Sequence, residues 1–424
     1  MRFLTARVSC GLLSAGLSLV FVRELPAASS SRPGWGSITY GDALGTGVTF
    51  RVWAPHATNV WVAGQFNGWS QTASPLTHES NGIWSVDVPG ALAGQEYKYV
   101  LKNTSVNGVL WKRDARSRKV VNSAGNSIVY PPTNFNWNGD SYAAPALNGT
   151  VIYEMHAGTF NAPSGTPGKF GDAINKLDHL RALGVNAVQV MPIAEFAGDL
   201  SWGYNPADLH AVESAYGGPD QFKDFVKACH ARGIAVILDV VHNHYGPSDN
   251  SVWQYDGWSS GGYGGIYFYN VAGKCCTTWG DTRPNFSEPE VRNFIKGSIT
   301  MWLDECHVDG FRWDTPNAMI YYDGGSLPEA QTLLQEINAM MGAQYPGKIR
   351  IAEDERYGNG FDSEERRLPQ RPEIPAHTDL RRQPQHGRGR RPRQLRLPHR
   401  ARDLHRVARH GGRSEQQRAP PEVH

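Results

Sequence analysis

The stretch PDQFKDFVKACHARGIAVILDVVHNH, residues 219–244, decides the fold class. Its first half places Phe222, Phe225, Val226 and Cys229 at helical spacing, which gives a helix one apolar face. Gly233 ends that helix. The next run, IAVILDVV, is apolar at almost every position, as in a strand covered on both faces, and it leads to the polar Asp239, Asn243 and His244. A helix that hands over to a doubly buried strand is the repeating unit of a parallel sheet.

The same handover recurs on either side. TVIYEMHAGTF (150–160) reads as a first strand. DAINKLDHLRALG (172–184) reads as a helix stopped by Gly184, and VNAVQVMPI follows it. Ser287 and Glu290 have the spacing of a capping box for a helix carrying Val291, Phe294, Ile295, Ile299 and Trp302. The strand HVDGFRWD comes next, then a helix around Ala330–Met341 and the strand KIRIAEDE. These make five strands, ending at Glu154 and His156, Glu195, Asp239–His244, Asp314 and Glu353. Polar groups at the C-terminal ends of parallel strands mark the chemical face of a β/α barrel. A doubly wound sheet would instead carry a Gly-rich phosphate loop after its first strand, and MHAGTFNAPSG is not one. Residues 151–361 are therefore expected to form an incomplete (β/α)8 barrel of about five βα units.

Upstream, residues 34–132 change to period two. GVTFRVWAP alternates Val48, Phe50 and Val52, EYKYVLK alternates Tyr97, Tyr99 and Leu101, and Gly, Asn and Pro punctuate the runs. This predicts an all-β sandwich, with 133–150 as a linker. Residues 1–33 have the Arg2/Arg7 start, apolar run and small-residue stretch of a signal peptide and leader, too short for a membrane span. Export to a secreted or periplasmic location follows from that reading; the alternative is a start codon placed too far upstream on a cytoplasmic protein. The five cysteines show no metal spacing and read as buried or incidental thiols. The net charge of +2 averages +8 over residues 362–424 and −6 over the rest, so nothing in the main body calls for a nucleic-acid partner. Its abundant aromatic residues suit stacking on flat ligand faces and equally suit a packed β core.

The chemistry concentrates in VDGFRWD. In an extended segment Arg312 and Asp314 share one face, and Phe311 and Trp313 the other. The arginine is expected to keep Asp314 ionised, which suits a nucleophile. Glu353, flanked by Ile351 and Ala352, is expected to hold its proton as an acid. One carboxylate and one carboxylic acid are what glycoside hydrolysis needs. The plain alternative is a buried Arg–Asp pair and a surface glutamate. Asp239, Asn243 and His244 fit hydrogen bonding to sugar hydroxyls, a metal site or a satisfied loop.

The motifs DVVHNH (239–244), GFRWD (310–314) and AEDE (352–355), supported by MPIAEF and SWGYNPADLHAVESAYGGPDQFKDFV, resemble those of the α-amylase family of glycoside hydrolases and transglycosylases. FRVWAP and GQFNGW are similar to the N-terminal carbohydrate-binding β-sandwich of branching and debranching enzymes, and the likeness runs over roughly residues 34–361. The resemblance implies Asp314 as nucleophile and Glu353 as acid/base. It implies Arg312, His244 and Tyr204 around the sugar on the non-reducing side of the cleaved bond, supported by Asp239 and Asn243. It implies an α-glucan partner (starch, glycogen or maltooligosaccharide) and no cofactor. Asn243 also matches a calcium-binding position of many family amylases, but no metal is assigned here. Where the family's hydrolases often have Lys-His after GFRWD, this chain has Asn317 and Ala318. The domain order favours branching-type transfer. The leader and DVVHNH favour a hydrolase such as an α-amylase or a trehalose-releasing relative. A carbohydrate-binding fragment without turnover is the alternative of another class.

The family's third acid, an aspartate after a histidine on the seventh strand, has no counterpart motif after Glu353; HTDL (377–380) is the nearest match. Residues 363–424 contain no Lys, Asn, Met, Cys, Phe, Tyr or Trp and are dominated by Arg, Pro, Gln and His. They read as a disordered tail or as a GC-rich gene translated out of frame from near Phe361–Glu364. On the second reading the last strands of the barrel are missing and turnover is low.

Overall fold

The period-two residues bury themselves as expected: Val48, Phe50 and Val52 meet Tyr97, Tyr99 and Leu101 in one core between two antiparallel sheets. A computed structural model describes residues 28–43 and 45–353. The expectations for most of the leader, the tail, its reading frame and HTDL fall outside the described residues. The first sheet pairs β1 (Gly36–Asp42), β2 (Gly45–Trp53) and a later strand, β4 (Ile83–Pro89). The second pairs β3 (Asn59–Gly64), β5 (Glu96–Lys102) and β6 (Leu110–Lys112). Thr49 and Arg51, on the outer face of β2, are buried as well. Residues 30–34 fold back over them, and Arg51 donates to the carbonyls of Arg32 and Gly34, both at 2.7 Å.

Downstream, β7 (Ile152–Met155), β8 (Ala187–Val190), β9 (Ala235–Val240), β10 (Gly310–Trp313) and β11 (Ile349–Ala352) form a wholly parallel sheet. Their spatial order is their chain order. A doubly wound sheet reverses its order at a switch point; a β/α barrel does not. The fold is thus a β-sandwich followed by β/α-barrel units. Outward-facing Val188, Val190, Val236, Leu238, Phe311 and Trp313 are buried. Covering them are α3 (Gly218–His230), α4 (Pro289–Asp304) and α5 (Pro328–Gln344), and the apolar residues predicted for α3 and α4 are all buried. Each such side chain contributes about 1.5–3 kcal/mol.

Local expectations needed correction. The helix predicted over 172–184 is two short ones, α1 (Phe170–Ile174) and α2 (Leu177–Ala182). The break at Lys176 (φ −113°, ψ 2°) lets Phe170, Ala173, Leu177 and Leu180 all face the core. The capping box does not form. Pro289 starts α4 with Glu288 as its cap residue, and the Ser287 hydroxyl donates to Asn285 Oδ1 instead (2.6 Å). Glu195 does not end a barrel strand but lies in an antiparallel hairpin, Ala194–Phe196 with Pro206–Val212. Cys275 and Cys276 are joined in a disulfide, while Cys229 and Cys306 are buried thiols as expected.

The segment read as a linker is packed. Trp137 stacks on His307 at 3.8 Å, and Asp140 Oδ2 lies 2.8 Å from His230 Nδ1 and 3.1 Å from His307 Nδ1. Tyr142, Ala144 and Leu147 then cover a small inner cluster of Ala187, Ala235, Ile237 and Ile349 at the N-terminal ends of the strands. Side-chain ion pairs also tie the sandwich to the barrel: Arg113 to Asp208 (2.8 Å, both buried) and Arg118 to Glu305 (2.9 Å). Among the described residues no helix is long and apolar enough to cross a membrane.

Candidate functional site

In the parallel register Asp239 stands beside Arg312, and Arg312 beside Ile351. Side chains in register point the same way, so the strand ends bring Asp239, Arg312, Asp314 and Glu353 together. Arg312 is the hub. Its Nη1 lies 2.6 Å from Asp239 Oδ2 and 3.3 Å from Asp314 Oδ1, and its Nη2 lies 2.7 Å from Glu353 Oε1. The Tyr204 hydroxyl donates to Asp239 (2.9 Å). Asn243 Nδ2 donates to the Asp314 carbonyl (2.9 Å) and to its carboxylate Oδ2 (2.7 Å). His244 Nδ1 meets Asn243 Oδ1, and its ring stacks on Trp279 at 5.0 Å. All seven residues selected from the sequence are therefore in one constellation. Glu154, His156 and Glu195, the other strand-end groups, are elsewhere: Glu154 accepts from Gln189, and His156 Nε2 lies 2.8 Å from the Ser201 carbonyl, three residues before Tyr204.

The protonation preferences reverse the expectation. Burial raises the Asp314 carboxyl, against the pull of the Asn243 hydrogen bond and Arg312. Burial also works to raise Glu353, but the Thr315 hydroxyl (2.8 Å) and N–H (3.0 Å) and Arg312 outweigh it, so its pKa is lowered. The apolar neighbours Ile351 and Ala352 do not enclose it, because the carboxylate reaches sideways to Arg312. The nearby Glu353 carboxylate adds to the rise at Asp314. Burial pushes Asp239 up to about 7 despite Arg312, and takes His244 down to about 4, which keeps that ring neutral.

Two features escaped the sequence reading. Thr315, which grips Glu353, sits at φ +35°, an uncommon conformation for a β-branched residue, directly after Asp314. Behind Asp239 lies a void of about 20 Å³ lined also by His242 and Trp302. Asp239 Oδ1 and His242 Nδ1 have no protein partner, so the void offers room and polar groups for one water. Among the described residues no group of three His, Cys, Asp or Glu is placed to hold a metal ion. The Asn243 oxygen is engaged by His244.

Comparison with known proteins agrees with this architecture. Residues 36–120 match carbohydrate-binding module 48 (isoamylase N-terminal domain), and residues 128–264 match the alpha amylase catalytic domain. The chain is 33% identical over 336 residues to a 1,4-alpha-glucan branching enzyme of Picrophilus torridus, covering 75% of this chain and 46% of that one. It is 37% identical over 276 residues to a malto-oligosyltrehalose trehalohydrolase of Arthrobacter ramosus, covering 64% and 44%. The chain thus spans less than half the length of either relative. The ligand-free pullulanase of Paenibacillus barengoltzii shares the fold (TM-score 0.64, 22% identity, 76% of this chain and 53% of that one). A carbohydrate-binding module 48, an alpha amylase catalytic domain and an arginine-centred carboxylate cluster at consecutive strand ends place this chain in the α-amylase family.

Proposed function

We propose that the chain acts on α-1,4-glucans, cleaving the glucosidic bond with retention and passing the cut segment to an acceptor chain, as a branching enzyme does. The observation that carries this reading is the Arg312-centred meeting of Asp314 and Glu353 at adjacent strand ends. Asp314 is the nucleophile that attacks the anomeric carbon. Glu353 protonates the departing oxygen and then takes the proton of the acceptor hydroxyl. Burial, with the Glu353 carboxylate nearby, holds the Asp314 carboxyl above its ordinary range, and the nearby Arg312 and the Asn243 hydrogen bond pull it back down. In a retaining mechanism the two carboxyls stand roughly 5 Å apart with the sugar between them, and Glu353 must take up a proton before cleavage. Arg312, Tyr204 and His244 line the sugar on the non-reducing side, and Asp239 and Asn243 hold them in place.

The sandwich supports the same substrate class. Trp69 and Trp111 present indole rings 6.3 Å apart on its surface, and Trp111 is exposed. Such rings suit stacking on glucosyl units.

One observation favours a second reading. The trehalohydrolase shares the higher identity of the two relatives, which favours hydrolysis over transfer. Incubation with amylose separates the outcomes. Branch points without net hydrolysis are expected from transfer, and new reducing ends from hydrolysis. Asp314→Asn should abolish either product, because it removes the nucleophile. Binding without products would overturn both readings and leave an inert carbohydrate-binding fragment.

A further inference from the structure

A buried histidine at the N-terminal ends of the barrel strands lies between two carboxylates. His230, the last residue of α3, has Asp140 Oδ2 2.8 Å from its Nδ1 and Asp309 Oδ2 2.9 Å from its Nε2. His230 and Asp309 are buried, and Asp140 is half-buried. An ionised carboxylate only accepts hydrogen bonds, so both ring nitrogens must carry a hydrogen, and only the imidazolium carries two. The electrostatics agree. Burial works to lower the His230 pKa, but Asp309 and Asp140 outweigh it and leave it raised.

The two carboxylates differ in how they are held. Asp309 stands directly before β10, accepts from the Val236 N–H of β9 (2.8 Å) and lies 3.4 Å from Lys348 Nζ, directly before β11. The starts of three strands therefore fix it. Asp140 belongs to the linker segment, and among the described residues its carboxylate meets only His230 and His307, the latter at 3.1 Å. The other groups around the His230 ring are Tyr142, which stacks on it at 4.6 Å, its neighbour Cys229, and Arg232, which is engaged by Asp178 (2.8 Å). Burial pushes Tyr142 up to about 12 and the Cys229 thiol well above its ordinary range, so both stay neutral.

We propose that His230 is a pH-operated latch on the linker segment. As the imidazolium it holds Asp140 and Asp309 at once. As the neutral ring it has one N–H, keeps the anchored Asp309 and turns a lone pair towards Asp140, which leaves and takes residues 137–147 with it. The sign follows from linkage. A histidine whose pKa is raised by docking contributes stability that is complete below the free value, near 6.5, and is lost as the pH rises through the docked value. The latch therefore opens on the alkaline side. Opening bares Ala187, Ala235, Ile237 and Ile349, which Tyr142, Ala144 and Leu147 otherwise cover. None of this depends on the reaction carried out at the other end of the strands.

Hydrogen–deuterium exchange of the full chain, corrected for the chemical exchange rate at each pH, tests the latch. From pH 6 to 9 the protection of residues 137–147 should fall by about tenfold or more, the scale of one hydrogen bond to a charged group. Peptides from β9 and β10 should keep theirs. Asp140→Asn offers both a donor and an acceptor to the ring, so it suits the neutral form as well, and its protection should stay level over that range. His307→Asn removes the second histidine and should lower protection at every pH while keeping the fall. Level protection in wild type, or an equal fall in Asp140→Asn, would overturn the latch. So would a fall that vanishes in His307→Asn, which would assign the response to His307, or one shared by β9 and β10, which would mean opening of the whole sheet.

Discussion

Glu195 and Glu213 show how far burial beside other carboxylates can move a carboxyl. Glu195 accepts from the Ser214 N–H (2.7 Å) and hydroxyl (3.1 Å), and Glu213 from the N–H groups of Ala215 (2.9 Å) and Phe196 (3.1 Å). Burial, with Glu213 close by, pushes Glu195 up to about 9; burial pushes Glu213 up to about 7. A carboxyl whose folded pKa exceeds its unfolded value supports the fold below the unfolded pKa, near 4.3, and loses that support as the pH rises through the folded value. Glu195→Gln keeps an acceptor for Ser214 and removes the ionisation. Its melting temperature should match wild type near pH 5 and exceed it increasingly from pH 6 to 9. A gap that shrinks over that range would contradict the assignment. At this scale the sequence revealed which residues meet, because two-residue alternation puts Arg312 and Asp314 on one face. It did not reveal their protonation, because the Thr315 hydroxyl and the depth of burial enter only through the folded chain.

Elements carry the clearest match between sequence and structure, and also its limit. The apolar faces of α3 and α4 were legible because helical spacing names the buried side directly. The strand order follows from the repeating handover, since consecutive elements are usually adjacent in space. The hairpin holding Glu195 was not legible: its first strand, Ala194–Phe196, follows the apolar run of β8 after only Met191–Ile193. Nor was the disulfide, since adjacent cysteines match no customary spacing. The start of α4 gives a sharp test. Ser287→Ala should change stability in urea by less than about 0.5 kcal/mol, because the hydroxyl is spent on Asn285 and not on the helix. A loss of about 1 kcal/mol, the usual cost of removing a cap, would mean that the capping box forms after all.

For the molecule as a whole, the two domains are joined by more than chain continuity. Arg113–Asp208 and Arg118–Glu305 bridge them, and residues 137–147 lie against the N-terminal ends of the barrel strands. A chain begun at residue 151 would uncover Ala187, Ala235, Ile237 and Ile349 and leave His230 and His307 without Asp140. It should aggregate on size-exclusion chromatography, whereas one begun at Pro131 should run with a larger monomeric fraction. Equal behaviour of the two would show that the segment is dispensable. The segment that covers the base of the strands is thus on loan from what looks like a connector. Anyone exchanging sandwiches between catalytic domains of this kind, as gene fusion does over generations, has a usable joint only upstream of Pro131. A splice made later transfers the floor of one enzyme to another and leaves the donor with a hole.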